Sequence, residues 1–364
     1  MNTQSTAARS TRAWIDIDLG ALLRNGEALA RHARVPLVPM IKADAYGLGA
    51  VEVARTLTRL DPFGFGVATV DEGRELRDAG VSCPVLVFTP LLPDEFVAAR
   101  AARLTPALAE PVVISTWSDT GGGAWHLAID TGMNRAGVRW DAIASVAAVA
   151  RRLPPEGAFT HFHSSELDDG SMALQERRFR VAVDLLAAGP LLLHTDNSAA
   201  IVRRLPMGDP PWSLVRPGVF LYGVGSGALA RLTPEPVVSV RARVVELRDV
   251  RAGESASYDA SWTASRPSRI ATLAIGYADG YRRSLGNTGS ILLNGTRVPV
   301  VGTVTMDMTM VDVTGVRCEV GDAATLIGSD GASSVTLEDT AVVCGLSPYE
   351  ILTGLRQRLP RNYV

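Results

Sequence analysis

A single lysine, Lys42, stands in a chain of 364 residues in which every other basic residue of the Lys and Arg class is arginine. An arginine holds its proton, whereas a buried lysine amine can lose its proton and attack a carbonyl carbon to form a Schiff base. Lys42 follows the apolar run 35–41 and precedes a glycine-containing segment and an amphipathic stretch at 50–60. The pattern predicts a strand, a glycine-rich turn and a helix, with Lys42 at the carboxyl end of the strand.

Short apolar segments alternate with helical patterns along the first part of the chain. Eight segments have the length of a strand: 35–41, 63–68, 85–89, 104–108, 125–129, 158–162, 191–194 and 214–221. Helical patterns such as 141–153 and 175–188 lie between most of them. This repeat predicts a closed parallel (β/α)8 barrel, whose active face is built by the loops that follow the strands. A doubly wound open sheet is the alternative, but no GxGxxG follows the first strand.

The pattern changes after the turn-rich segment 232–236, where short alternating strands replace the helices. These strands are expected at 237–247, 269–275, 289–293, 298–304, 308–313 and 323–327, with short helices between 336 and 359. Glycine-rich turns between such strands are typical of an antiparallel domain. We therefore predict an α/β protein with a TIM-like barrel at 1–235 and a mainly-β domain at 236–364. The first strand, about 12–18, is a candidate to pair with the C-terminal domain.

Composition restricts the function classes. The formal net charge is −2 and no basic run occurs, so the electrostatic footprint of a nucleic-acid-binding protein is missing. Cys83, Cys318 and Cys344 show no paired spacing, which favours a reducing compartment over a disulfide framework or a zinc cluster. No apolar run reaches about 18 residues and residues 1–14 lack the apolar core of a signal peptide. We expect a cytoplasmic protein with a small-molecule substrate and no membrane partner.

A series of short motifs runs along nearly the whole chain. The motifs are Lys42-Ala-Asp-Ala-Tyr46-Gly-Leu-Gly, Asp130-Thr-Gly-Met-Asn-Arg135, Thr160-His161, Asn197-Ser198, Arg216-Pro-Gly218-Val219, Tyr222-Gly, Ser257-Tyr258, Gly276-Tyr277-Ala-Asp-Gly280, Gly302-Thr-Val-Thr-Met306-Asp307, Tyr349-Glu and Leu359-Pro-Arg. In this order they resemble the motifs of alanine racemases. No single motif decides the resemblance, but their common order does.

The resemblance implies a pyridoxal 5′-phosphate (PLP) enzyme that interconverts L-alanine and D-alanine as a homodimer with shared active sites. Lys42 would bind PLP covalently and then act as a base on one face of the α-carbon. Tyr258 of the partner subunit would be the base on the other face. Racemisation needs two opposed bases because the planar carbanion must be protonated from the side opposite the one that was deprotonated.

The resemblance also implies roles for the residues around these bases. His161 and Arg216 would link the tyrosine to the cofactor ring, with Arg216 facing the pyridine nitrogen. Because arginine holds its proton, the ring nitrogen would stay largely unprotonated, which favours racemisation over transamination. The other implied ligands are Tyr46, Ser198, Gly218, Val219 and Tyr349 for the cofactor, and Arg135, Met306, Asp307 and Tyr277 for the substrate and its entry. A phosphate near Ser198 and Gly218 also agrees with where barrels commonly bind one.

Three positions depart from the family pattern. Leu48 stands where a histidine is usual, Ala128 stands where many members carry a carbamylated lysine, and the segment 163–166 replaces a run of small residues. Arg135 therefore lacks its common partner, and chloride or a nearby carboxylate is expected in its place unless Arg135 turns elsewhere. These departures leave open a different amino-acid substrate, or aldol-type cleavage or transfer at the Cα–Cβ bond.

Two further alternatives come from other classes. His161 and His163, together with His194, Glu166 and Asp168, could ligate a metal as in barrel hydrolases. This alternative leaves Lys42 and Tyr258 without a role. For this reason no metal is expected. A non-catalytic PLP carrier is the other alternative, but it would need neither a β domain nor a tyrosine from the partner subunit. His126 is expected to be a packing residue.

Overall fold

The computed structural model describes residues 11–206 and 209–364. The chain divides into two compact units, one of which is Gly20–Glu235. The other unit combines Pro236–Val364 with the N-terminal segment that ends at Leu19. The first strand, β1 (Ala13–Ile17), thus belongs to the C-terminal unit. In the described part of the chain, no helix is long and apolar enough to cross a membrane.

The unit Gly20–Glu235 is built on a seven-stranded sheet. Its strands are β2 (Phe65–Val67), β3 (Val85–Val87), β4 (Thr105–Leu108), β5 (His126–Asp130), β6 (Val138–Arg139), β7 (Gly157–Phe159) and β8 (Leu192–His194). Neighbours pair in parallel in the order β2-β3-β4-β5-β7-β8, and the short β6 pairs with β5. Nearly every residue of these strands is buried, because helices cover the outer face and side chains fill the interior.

Two extended segments close this sheet into a cylinder. Leu37 pairs in parallel with Val215, and Met40 pairs in parallel with Gly66 of β2. The segment 213–216 also bonds to β8 at the other edge of the sheet, since the amide of Ser213 donates to the carbonyl of Leu193 at 2.8 Å. The predicted (β/α)8 barrel is confirmed. The eighth predicted strand, 214–221, is too long, because hydrogen bonds of turn type occupy 218–222.

The helices of this unit follow the strands. They are α1 (Leu19–Ala33), α2 (Lys42–Gly47), α3 (Ala50–Leu57), α4 (Val70–Asp78), α5 (Phe96–Ala101), α6 (Pro111–Asp119), α7 (Ala144–Arg152), α8 (Ser171–Leu186) and α9 (Ser198–Arg203). The predicted helix 175–188 begins earlier, at Ser171, where the Asp169 carboxylate accepts from the Ser171 amide at 2.9 Å. The two ends of the unit are joined by Asn25, whose side chain bonds to both backbone groups of Glu235.

The C-terminal unit is a sheet of nine strands whose pairings are antiparallel, except that β1 and β18 pair in parallel. These are β1 with β9 (Val238–Val250), β12 (Ser268–Leu273), β13 (Ser290–Leu293), β14 (Thr296–Val301), β15 (Thr309–Asp312), β16 (Ala323–Asp330), β17 (Ser333–Val335) and β18 (Arg361–Tyr363). The order is β17-β16-β13-β14-β15-β12-β9-β1-β18, and β16 also pairs with β9. This extra pairing closes a cylinder whose buried interior is rich in Val, Ile and Leu.

Short elements complete the C-terminal unit. The strands β10 (Ser255–Ala256) and β11 (Trp262–Thr263) form a small hairpin, and α10 (Leu337–Cys344) and α11 (Pro348–Gly354) are the helices expected near the end of the chain. Single 3-10 turns of this unit lie at Tyr258–Ala260, Tyr277–Asp279 and Arg283–Leu285, and the unit Gly20–Glu235 has such turns at Thr58–Leu60 and Pro93–Glu95. Tyr258 lies between the two strands of the hairpin β10–β11.

Candidate active site

The segment that follows Lys42 is a left-handed turn. Ala43, Asp44, Ala45 and Tyr46 all have positive φ, between 52° and 58°. The left-handed helical conformation costs an L-residue roughly 1–2 kcal/mol, and consecutive residues rarely adopt it. The sequence predicted a glycine-rich turn here, but the four residues with positive φ are not glycines. A strained backbone of this kind persists only where its surroundings hold it in place.

Two carboxylates hold this turn. Glu72 Oε1 accepts from the Ala43 amide at 2.7 Å, and its other oxygen caps α4 through the amides of Ala68 and Thr69. Asp44 Oδ1 accepts from the Ala50 amide at 2.7 Å, which ties the turn to the start of α3. The backbone of the turn is therefore fixed by hydrogen bonds at both ends, and Lys42 lies at its first position.

The Lys42 amine has no hydrogen-bond acceptor or ion-pair partner among residues 11–206 and 209–364. Burial lowers the pKa of Lys42, and the nearby Arg135 lowers it further, while Glu72 acts in the opposite direction. A lowered pKa increases the fraction of neutral amine, which is the form that attacks a carbonyl. The surroundings of Lys42 therefore favour the form of its amine that can act as a nucleophile.

A hydroxyl and backbone amides form an anion cradle close to this turn. Ser198 Oγ accepts from the Gly218 amide at 2.9 Å and from the Phe220 amide at 3.3 Å. A Cβ atom added to Gly218 would lie 2.8 Å from the Tyr46 hydroxyl, so this hydroxyl sits directly over the bare glycine backbone. The Val219 amide has no acceptor in the described part of the chain. These groups match the donors that bind phosphate in proteins.

Tyr222 fixes the position of Tyr46 in the cradle. The two rings lie 4.7 Å apart, and the buried Tyr222 hydroxyl donates to the carbonyl of Met40 at 2.8 Å. Tyr222 therefore links the cradle to the strand segment that carries Lys42. The sequence resemblance included Tyr222 but gave it no function.

Arg216 is a buried cation with an almost complete set of acceptors. Its Nη1 donates to the His194 carbonyl at 2.6 Å and to His194 Nδ1 at 2.9 Å, and its Nη2 donates to the carbonyls of Thr160 at 2.7 Å and Thr195 at 3.0 Å. Burial lowers the pKa of Arg216 to about 10, so the guanidinium remains charged at neutral pH. Its Nε is the donor that has no acceptor among the described residues.

His161 lies beside Arg216, with 3.5 Å between His161 Nδ1 and Arg216 Nη2. Burial, followed by the charges of Arg216, Arg135 and Lys42, lowers the pKa of His161 to about 3. The imidazole is therefore neutral at physiological pH. The structure places His161 against Arg216, and the charge of Lys42 also acts on the imidazole.

Gln175 of α8 holds the loop that carries His161. Its Nε2 donates to the His161 carbonyl and to Thr131 Oγ1, both at 3.1 Å, and its Oε1 accepts from the His163 amide at 3.1 Å. Thr131 Oγ1 is also bonded to Thr160 Oγ1 at 2.7 Å. This buried amide joins the loops after β5 and β7, and sequence reasoning missed it because a single Gln on a helix carries no motif.

Arg135 lies exposed in the loop after β5. Within residues 11–206 and 209–364 it makes no ion pair, so no carboxylate of the described chain takes the place of the partner that the resemblance implies. Ala128 is buried against Ala107 and Phe159 in an apolar cluster. The position where many relatives carry a charged group is therefore apolar here. Leu48 is likewise fully buried.

The histidines considered as metal ligands are separated in their roles. His163 is exposed and its Nδ1 bonds to Ser164 Oγ at 2.7 Å, whereas His194 is buried and bonds to Arg216. Asp168 pairs with Arg203. In the part of the chain that the structure describes, no group of three or more His, Cys, Asp and Glu side chains could hold a metal ion. The hydrolase alternative is not favoured.

The remaining predicted site residues lie in the C-terminal unit. Tyr258 is 67% exposed, Met306 52%, Tyr349 45% and Tyr277 42%, which is unusual for large side chains. Backbone bonds from Tyr277 to Thr305 and from Ala278 to Met306 join two of these turns, and Arg358 bonds to Asp307 at 2.8 Å. The unit thus presents phenols and a methionine on its surface.

The backbone around Tyr258 is also strained. Ser257, Asp259 and Ala260 have φ values of 72°, 59° and 48°. Ser257 Oγ donates to the Thr303 carbonyl at 2.9 Å, and Gly302 lies so close to Ser257 that a Cβ there would be 2.4 Å from the serine Cβ. The hairpin β10–β11 and the turn at 302–306 together fix where Tyr258 projects from the unit.

Comparison with known proteins agrees with this geometry. The family model for the alanine racemase N-terminal domain matches residues 17–226, and that for the C-terminal domain matches residues 237–363. The alanine racemase of Carboxydothermus hydrogenoformans is 37% identical over 96% of this chain and 99% of its own length. That of Deinococcus radiodurans is 39% identical over 96% of this chain and 99% of its own length.

Solved structures give the same result. The alanine racemase from E. faecalis has a TM-score of 0.92 at 28% identity and covers 98% of this chain and 99% of its own. The alanine racemase from Bartonella henselae, with covalently bound pyridoxal phosphate, has a TM-score of 0.88 at 28% identity, with 97% and 100% covered. The protein described here belongs to the alanine racemase family.

Proposed function

We propose that this protein is a PLP-dependent alanine racemase that interconverts L-alanine and D-alanine. The observation that carries the proposal is the Lys42 amine, which has a lowered pKa and no partner among the described residues, beside a cradle of donors suited to phosphate. A cation buried in the same barrel, Arg216, completes the arrangement.

The residues present fit PLP on three counts. Tyr46, Ser198, Gly218 and Val219 would hold its phosphate with hydroxyl and amide donors. Lys42 would hold its aldehyde carbon, and the Nε donor of Arg216 would face its pyridine nitrogen. Tyr349 would add a phenol to the phosphate site. When bound, PLP supplies the electron sink that weakens the bond from the α-carbon to its hydrogen.

Lys42 and Tyr258 of the partner subunit would be the two bases. The lysine amine holds or returns a proton on one face of the α-carbon, and the phenol does so on the other. A phenol with a pKa near 10 is ionised only about one part in a thousand at pH 7, a handicap of roughly 4 kcal/mol. Arg216 and the neutral His161 would lower this handicap, because a nearby positive charge and an imidazole N–H that donates to the phenolate oxygen both favour the ionised form.

Substrate binding and assembly belong to the same proposal. Arg135 would bond the cofactor's phenolic oxygen or the substrate carboxylate, while Met306 of the partner subunit would bind that carboxylate through its amide. Asp307 and Tyr277 would line the entry. A homodimer in the cytoplasm is proposed, and the exposure of Tyr258 and Met306 supports a role for that surface in contact with a second chain.

The activity is tested with purified protein, PLP and each enantiomer of alanine in deuterated water. We expect the opposite enantiomer to appear and the α-hydrogen to be replaced by deuterium. The same assay across the common amino acids tests whether Leu48 and the segment 163–166 have changed the substrate. If neither enantiomer of alanine exchanges its α-hydrogen, the proposed substrate is wrong.

Sharing of the site between chains is tested by mixing two inactive variants, Lys42→Ala and Tyr258→Phe. If each site takes its lysine from one chain and its tyrosine from the other, a mixed dimer contains one intact site. Random mixing should therefore restore about a quarter of wild-type activity. Two bases from the same chain would leave every site defective, and the mixture would stay inactive.

A further inference from the structure

A continuous row of hydrogen bonds runs through the barrel behind Arg216. Arg216 Nη1 lies 2.9 Å from His194 Nδ1, His194 Nε2 lies 2.7 Å from His126 Nδ1, and His126 Nε2 lies 3.3 Å from Glu156 Oε2. His194 and His126 are almost completely buried, at 0% and 1% exposed, while the Glu156 side chain reaches solvent. None of these three residues has a role in the function proposed above.

The direction of each bond in this row is determined by chemistry. A guanidinium has donors only, so His194 Nδ1 must accept, and the proton of the neutral ring must be on Nε2. His126 Nδ1 must therefore accept as well, and His126 Nε2 carries the proton that faces Glu156. Burial and the charge of Arg216 hold the pKa of His194 well below its usual range, in agreement with a neutral ring. The row ends on a carboxylate oxygen, Glu156 Oε2, as the acceptor.

The row crosses the barrel from one edge of the sheet to the other. His194 is the last residue of β8, whereas His126 is the first residue of β5, and Glu156 directly precedes β7. Because the strands are parallel, Glu156 lies at the edge opposite the loops that form the active face. The Glu156 backbone is fixed in the sheet, since its amide donates to the Trp125 carbonyl at 2.9 Å and its carbonyl accepts from Leu192 at 3.0 Å.

The neighbours of the two rings are also adapted to them. A Cβ atom at Gly157 would lie 2.7 Å from His126 Nδ1, so this position leaves room for the imidazole. Phe159 stacks on His194 with 5.1 Å between ring centres, and Phe88 meets it edge-on at 6.3 Å. Among the described residues, the charged groups that contact the pair are Arg216 and Glu156 alone.

We propose that Glu156 and His126 are positioning residues for the reaction: they fix the tautomer of His194 and thereby the orientation of Arg216. If the His194 proton moved to Nδ1, two donors would face each other and the guanidinium would have to rotate. Its Nε, the donor that faces the cofactor in the proposed function, would then be misdirected. The inference rests on the proposed function only for this last step.

The holoenzyme tests this inference through Glu156→Ala and Glu156→Gln. The alanine variant removes the acceptor of the His126 Nε2 proton, whereas glutamine keeps an acceptor through its amide oxygen. We expect Glu156→Ala to lower kcat about five- to tenfold, the scale of one lost buried hydrogen bond, without a change in the KM for alanine. Glu156→Gln should restore most of kcat. Glu75→Ala, at an exposed glutamate of α4, is the matched control and should leave kcat unchanged.

A direct readout is independent of activity. The chain contains five histidines, so nitrogen-15 shifts of histidine-labelled protein can be assigned with single-histidine variants. We expect His194 and His126 to carry their protons on Nε2 in the wild-type protein, with and without PLP, and the two signals to shift in Glu156→Ala. A proton on Nδ1 of His194, or a Glu156→Ala variant with unchanged shifts and kcat, would overturn the inference. Absence of racemisation in the wild type would instead refute the proposed function, because the tautomers are measured without substrate.

Discussion

Lys42 and Arg216 are two basic groups of the same barrel, and their surroundings differ in kind. Lys42 begins a strained left-handed turn and has no acceptor in the described part of the chain. Arg216 follows the bridge residue Val215 and donates to three backbone carbonyls and a histidine nitrogen. Both groups have a lowered pKa through burial. The fold therefore leaves the Lys42 amine without hydrogen bonds in the described part of the chain, whereas it holds the Arg216 guanidinium in place with several.

The difference agrees with the role proposed for each group. An amine that forms and breaks a covalent bond must be free to move and to lose its proton, so saturating hydrogen bonds would oppose its chemistry. A group that keeps a cofactor nitrogen unprotonated must remain charged and stationary, so each bond helps it. The rigid elements are placed accordingly: the turn holds the Lys42 backbone, whereas the hydrogen bonds of Arg216 hold the side chain itself.

Lys42→Arg tests this contrast with the largest expected effect. The substitution keeps the positive charge but replaces the amine by a group that does not lose its proton. We expect racemisation to fall by more than about 10³-fold, since both covalent attachment and one base are lost. Circular dichroism of the alanine product measures the rate, and the far-ultraviolet spectrum checks the fold. Activity above roughly a tenth of wild type would show that the amine is not required.

Arg216→Lys tests the other half of the contrast. Lysine has three donors on one nitrogen and cannot reproduce the fork that reaches His194, Thr160 and Thr195 together. We expect a loss of about 3 kcal/mol in the free energy of unfolding, because buried carbonyls lose their donor, and a fall in kcat of about 10²-fold. Urea denaturation and steady-state kinetics measure the two effects. The matched control is Arg55→Lys on α3, an exposed ion pair whose change should stay within about 0.5 kcal/mol.

His161 contacts the fixed cation, and its environment predicts a pH dependence of stability. Its pKa is about 3 in the folded protein against about 6.5 when unfolded. Above about pH 6.5 both states leave the ring neutral, so there is no effect. As pH falls from 6.5 towards 3, the ring is protonated in the unfolded state but remains neutral in the folded state. The free energy of unfolding therefore falls by up to about 1.4 kcal/mol per pH unit.

The test compares wild type with His161→Gln in urea at several pH values. The variant lacks this proton uptake, so its stability should fall less steeply in acid and the two curves should converge. His163→Gln, at an exposed histidine two residues further on, is the control. Parallel curves for wild type and His161→Gln would contradict the assigned environment of His161.

The smallest expected effect concerns the backbone beside Lys42. Glycine adopts positive φ freely, so Ala43→Gly should remove a conformational cost of roughly 1–2 kcal/mol from the folded state. The larger backbone entropy that a glycine loses on folding offsets part of this gain. We expect a gain of about 0.5 kcal/mol in the free energy of unfolding. Ala148→Gly, at an exposed position of the right-handed helix α7, should instead lose about 1 kcal/mol. Equal losses in both variants would show that Ala43 is not strained in solution.

The sequence predicted the barrel and a set of candidate site residues, because strand spacing and motif order are local properties. Lys42, His161 and Arg216 could be identified in this way. The sequence did not reveal the left-handed turn, since its residues are alanine, aspartate and tyrosine, which ordinarily avoid that conformation. Glu72 was not identified from the sequence either, since one of its oxygens caps α4 and the other bonds to the turn, and no motif indicates this double contact.

Contacts across the barrel were beyond sequence reasoning for a different reason. His126, His194 and Glu156 belong to different strands and their connecting segments, so no spacing along the chain links them. Gln175 is similar, because its partners come from two loops. His126 was expected to be a packing residue, and its hydrogen bond to His194 is a property of the closed sheet alone.

The place of β1 in the C-terminal sheet makes the barrel an insertion within another unit. Ile17 is paired with Val238, and the Asp18 amide donates to the Val237 carbonyl at 2.9 Å, so the chain leaves and re-enters the sheet at neighbouring positions. During synthesis, β1 must wait for more than half of the polypeptide before its antiparallel partner β9 emerges. The same adjacency would allow excision: a tight reverse turn could replace Gly20–Glu235 and turn β1 and β9 into an ordinary hairpin.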